Sequence, residues 1–221
     1  VDVDNPFFRF VNHMDTTSGT SLSFIVSPTW RGKWLFLPHS RQPEKDWEKI
    51  KFGDATAIFL HQTLTGAGAS NGTVMHGLPR DYFKQYRCTV FSGDIHVPQR
   101  IGGVEYCGAP YHIRFGDSFE PRVLLVDPGK GYKVRDLHFL CLRKHVIELK
   151  VHDDLDATGR LRAGDQVKVR LLLYRSEFVG WADLKKRVIE ICADRKLDLV
   201  GVEIVERAQR VTKNTERQGA E

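Results

Sequence analysis

A chain of 221 residues, 41% hydrophobic and 28% charged, holds enough apolar material for one large or two small domains with buried cores. It has no apolar run near bilayer length and no charged-then-apolar leader, so neither a membrane span nor a signal peptide is expected, and the expected location is the cytoplasm. The net charge of +5 and pI near 9.0 suit a polyanionic partner without requiring one.

In chain order, residues 6–13 read as a short helix, and 22–26 and 33–37 as strands separated by Pro, Ser, Gly and Thr clusters. Residues 41–51 are charged and carry Trp47 and Ile50, the pattern of a surface helix. The apolar run 55–60 reads as a strand buried on both faces, ending at His61-Gln62. The Gly-rich loop 65–72 lacks the Gly-Lys-Ser/Thr ending of a phosphate-binding loop. Pro79 opens a short helix over 79–83, and strands follow at 86–91, 103–107 and 122–126.

A turn-rich linker at 127–131 changes the character of the chain. Extended segments over 137–151, a loop at 158–160, an alternating strand at 166–174, an amphipathic helix at 181–193 and a strand at 197–205 make a small α/β module, with a frayed tail beyond 206. Buried strands alternating with helices and long loops imply a layered α/β (α+β) fold. The expected boundaries are a core over 1–127, a second domain over 128–206 and a flexible tail over 207–221. Cys88, Cys107, Cys141 and Cys192 are widely spaced, without Cys-x-x-Cys pairing, and read as reduced core thiols. The basic clusters around Arg87, Lys186 and Arg210 read as solvated faces.

The chemistry concentrates at two strand ends. His61 closes one buried strand, and Gly93-Asp94-Ile95-His96 follows another, so an imidazole, a carboxylate and a second imidazole converge where α/β layers collect ligands. Mixed N and O donors suit Mn, Zn or Fe, whereas an all-oxygen set suits Mg or Ca. His13, His39, His76, His112, His138, His145 and His152 have no comparable setting and read as structural.

The ordered series Ile58-Phe59-Leu60-His61-Gln62, Ser92-Gly93-Asp94-Ile95-His96-Val97-Pro98-Gln99, Tyr106-Cys107-Gly108-Ala109-Pro110 and 121–126 resembles the calcineurin-like metallophosphoesterases. Within them it looks most like the nuclease subunits of SbcCD-type DNA repair complexes, phage versions included. The resemblance runs over about residues 55–205. It implies a partial metallophosphoesterase β-sandwich with flanking helices, followed by a strand-helix-strand capping (DNA-binding) domain.

The resemblance also implies two manganese ions, with Mg as the alternative; His61 and Asp94 would bind one ion and His96 the other. Asp94 stands where the commonest pattern has His, which makes the site harder and more anionic and favours Mn or Mg over Zn. The implied activity is a metal-dependent hydrolase: a phosphodiesterase or DNA exonuclease acting in double-strand-break repair or recombination, with DNA and an SMC-like ATPase subunit as partners and a homodimer as a further expectation. Nothing in residues 1–60 matches the family's first three motifs, D-x-H, G-D and G-N-H-D/E; Phe52-Gly53-Asp54 reads as a turn. The bridging ligand and the proton-donating His are therefore expected upstream of Val1, in a longer chain. The same absence suits a shortened chain, a split gene or a degenerate paralogue. The alternative reading is a non-catalytic DNA- or partner-binding module on the phosphoesterase scaffold, and a third is a phosphoesterase for a small molecule such as a cyclic nucleotide.

Overall fold

The computed structural model describes residues 25–138, 140–151, 153 and 161–207. The helix at 6–13, most of the strand at 22–26, the loop at 158–160 and the tail beyond 207 lie outside the described residues. The architecture is mixed α/β, of the α+β kind, in two compact units: Val1–Pro110 with Phe119–Phe139, and Tyr111–Ser118 with Leu140–Glu221.

The first unit is built on a six-stranded sheet in the order β1-β2-β3-β4-β6-β5. Its strands are β1 (Thr29–Arg31), β2 (Trp34–Phe36), β3 (Ala57–Leu60), β4 (Thr89–Ser92), β5 (Gln99–Ile101) and β6 (Val104–Tyr106). β2, β3, β4 and β6 run parallel, and β1 and β5 close the edges antiparallel. Parallel strands need apolar residues on both faces. On one face Leu35, Ile58, Val90 and Val104 are buried in the main core. On the other, Phe36, Phe59 and Phe91 stand in register on neighbouring strands and stack, with centroids 4.9 and 5.4 Å apart.

The stretch 41–51 differs from the expected surface helix. Only one turn, α1 (Pro43–Asp46), is helical, because Trp47 turns inward to 3% exposure and packs edge-on against Phe52 and Tyr82. Residues 79–83 likewise form turns rather than a helix, with Phe83 drawn into the same aromatic cluster. The strand expected at 86–91 begins only at Thr89. Phe52–Asp54 is a 3-10 turn, as its Gly-Asp pair suggests.

Residues 127–131 form the tip of a hairpin of β7 (Val123–Asp127) and β8 (Lys133–Leu137). Arg122 ties this hairpin to β6: its guanidinium donates to Asp136 and Glu105 at 2.8 Å and to the Tyr106 carbonyl at 3.0 Å.

In the second unit β9 (Lys144–Leu149), β10 (Gln166–Leu173) and β11 (Asp198–Glu206) form a parallel sheet in the order β11-β10-β9. The alternation of β10 buries Val167, Val169, Leu171 and Leu173 against Val188 and Cys192 of α2 (Trp181–Asp194). The opposite face of β10 sends Lys168 and Arg170 to Glu203 at 3.0 and 2.6 Å. All four cysteines are free thiols. Among the described residues, no helix is long and apolar enough to cross a membrane.

Candidate metal centre

β3 and β4 are parallel neighbours that end level, with Leu60 opposite Ser92. The residues that leave them, His61 and Gly93-Asp94, therefore emerge side by side. Two buried groups fix this exit. The Ser92 hydroxyl accepts from the Gln62 N–H at 3.1 Å and donates to the Gln62 carbonyl at 3.0 Å. The Tyr106 hydroxyl donates to the same carbonyl at 2.9 Å and accepts from the Leu64 N–H at 2.8 Å. Burial is the main reason that the Tyr106 hydroxyl is pushed up to about 12; the Leu64 N–H opposes this and the charge of Asp94 adds to it.

Gly93 lets the imidazole of His61 lie close, since a Cβ there would stand 2.5 Å from His61 Nδ1. Asp94 then turns through φ 73°, a left-handed conformation that Asp tolerates better than most residues. Its Oδ2 accepts a short hydrogen bond from the Thr63 hydroxyl. Its Oδ1 lies 3.8 Å from His61 Nε2, with side-chain exposures of 60% for His61 and 30% for Asp94.

Two donors bound to one cation at about 2.0–2.2 Å each stand at most about 4.4 Å apart, and about 3.4 Å apart at a tetrahedral angle. The His61–Asp94 spacing lies inside that limit, at the wide end, in a place that solvent reaches. The structure does not bring His96 in as a third donor: among the described residues, no group of three His, Cys, Asp or Glu side chains is placed to hold a metal ion. His96 anchors the loop through its backbone, its carbonyl accepting from the Ala109 N–H at 2.8 Å.

Two residues read as structural from the sequence lie close by. His39 bonds through Nδ1 to the His61 carbonyl at 2.9 Å, its ring centroid 6.4 Å from that of His61. His76 lines the same cleft as His39 and Thr63. Neither has a local signal, because the cleft joins segments distant in the chain.

Fold and site together describe an α+β protein in which the parallel strands of one sheet end with His61 and Asp94 side by side. No protein-family model matches the chain. A 75-residue stretch is 35% identical to a protein named Exonuclease subunit 1, from Enterobacteria phage T4, covering 34% of this chain and 22% of that protein. The chain is therefore similar, over about a third of its length, to a phage exonuclease subunit, and the match spans about a fifth of that relative.

Proposed function

We propose that the chain belongs to a divalent-cation-dependent phosphodiesterase that trims DNA ends, a nuclease subunit of the calcineurin-like metallophosphoesterase kind working with an SMC-like ATPase partner. The observation that carries this reading is the His61–Asp94 pair, set 3.8 Å apart at level strand ends. The similarity to a phage exonuclease subunit supports it.

His61 and Asp94 would hold one ion, manganese before magnesium, and His96 would contribute to a second. When bound, the cation supplies Lewis-acid activation of water and neutralises charge on the phosphodiester. The chain's own residues set the stage for this. Thr63 fixes which carboxylate oxygen of Asp94 is free, Gly93 leaves room for the imidazole of His61, and Ser92 with Tyr106 holds the backbone that carries both. The net charge of +5 suits a phosphate backbone, and the second unit takes the part of the DNA-positioning capping domain.

A second reading, a non-catalytic DNA- or partner-binding module, is favoured by the two-donor limit of the site among the described residues. End-labelled DNA incubated with the chain and Mn²⁺ separates them. Shortening that His61→Ala and Asp94→Ala abolish establishes the nuclease, whereas binding without shortening leaves the module.

A further inference from the structure

Beside the His61–Asp94 pair, within the first unit, opens a cleft of about 700 Å³ that the cation chemistry does not use. Its size falls in the range of small-ligand sites, about 300–1,000 Å³. His39, Arg41, Lys45, Gln62, Thr63 and His76 line it, and Glu44 is the one acid among its lining residues. The balance of charge on its walls is therefore positive.

Its polar groups are held in place and partly unspent. Gln62 is 8% exposed; its Oε1 accepts from the Ser40 N–H at 3.2 Å, which assigns the amide orientation. Its Nε2 makes no hydrogen bond among the described residues, yet no described side-chain polar atom is both fully buried and unpaired. The amide N–H group therefore meets solvent, and Gln62 lines the cleft. Ser40 is itself braced, donating to Asp46 at 2.6 Å. His39 must carry its proton on Nδ1, because the His61 carbonyl it contacts can only accept. Its Nε2 then carries the lone pair, has no other partner among the described residues, and can accept from a ligand hydroxyl or N–H but not bind an anionic oxygen. At the far wall, Thr63 joins the cleft to Asp94.

An amide donor on a held side chain and two cationic side chains around one hollow form a site for an anion with several acceptor oxygens. We infer that this cleft binds the phosphate-bearing terminal nucleotide of a nucleic-acid strand, seating it beside His61 and Asp94. The inference rests on the nuclease reading for the identity of its ligand, but its binding chemistry needs no cation.

The test is calorimetric titration of thymidine 5′-monophosphate, a 5′-phosphorylated oligothymidylate and thymidine itself into the chain in EDTA. Both phosphorylated ligands are expected to bind at least tenfold more tightly than thymidine. Arg41→Ala and Gln62→Glu should each weaken them at least fivefold, while Lys186→Ala, on the exposed lysine of α2, stays within twofold. Lys45→Ala repeats the test if a first variant misfolds. Absence of nucleotide binding, or equal weakening by Arg41→Ala and Lys186→Ala, overturns the inference. The two readings fail separately: nucleotide binding through Arg41 with no DNA shortening keeps the cleft and removes the nuclease, whereas DNA shortening with cleft variants unaffected in binding does the reverse.

Discussion

The carboxylate of Asp94 takes a hydrogen bond from Thr63 on one oxygen and faces His61 Nε2 at 3.8 Å with the other. One oxygen is thus spent on orientation and the other left for a ligand. Outer partners of this kind typically contribute 10–100-fold in metal affinity. Thr63→Val is expected to weaken Mn²⁺ binding about tenfold while leaving the circular dichroism spectrum unchanged. Unchanged affinity would mean that the hydroxyl does not orient the carboxylate.

Gly93 is required by space. A methyl group there would stand 2.5 Å from His61 Nδ1, and the imidazole would have to swing away. Gly93→Ala should therefore lower Mn²⁺ affinity by about an order of magnitude, with a change in the His61 ring resonances that Gly53→Ala, where a Cβ meets nothing within 4 Å, does not produce.

Tyr106 supports the site from within the core. Tyr106→Phe leaves the buried Leu64 N–H without its acceptor and should cost about 1–3 kcal/mol in denaturant unfolding. The pH dependence has a definite sign. The folded protein holds the phenolic proton up to about 12, so the contribution is full below the ordinary value near pH 10 and is lost between about 10 and 12. The wild-type protein should lose stability across that interval, and Tyr106→Phe should lose less.

In the second unit Asp165 is 1% exposed. Burial pushes its carboxyl up, but the Arg143 and Arg162 N–H groups and His145, at 2.9, 3.0 and 3.0 Å, outweigh burial and hold it below the ordinary carboxylate value. A depressed carboxyl contributes stability above about pH 4 and loses it as the pH falls further. Asp165→Asn should destabilise this unit by about 1–3 kcal/mol near pH 7, read as faster exchange of the β9 and β10 amides, and by progressively less below pH 4.

Much of the scaffold was legible where one force dominated. The apolar run 55–60 reads as a strand buried on both faces, and β3 occupies its last four residues; the spacing of Leu184, Val188 and Ile191 marks α2. The charged composition of 41–51 misled, because Trp47 serves the core rather than a helix face. The edge strand β5 went unseen, although Ile101-Gly102-Gly103-Val104 carries the signal: both glycines have positive φ, the requirement of a tight hairpin turn. The side-by-side placement of His61 and Asp94 was legible because parallel strands that end level bring their exits together, and Asp is a residue type that tolerates the positive φ found at position 94. His39, Gln62 and His76 were not legible, since what they form is a cleft between distant segments.

The central claim is that His61 and Asp94 together hold a divalent cation. Electron paramagnetic resonance of Mn²⁺ titrated into the purified chain tests it directly, because bound ion leaves the free-ion signal. The expected result is at least one ion bound per chain at micromolar to sub-millimolar Mn²⁺, lost in both His61→Ala and Asp94→Ala. A chain that binds no Mn²⁺, or whose binding survives both substitutions, contradicts it.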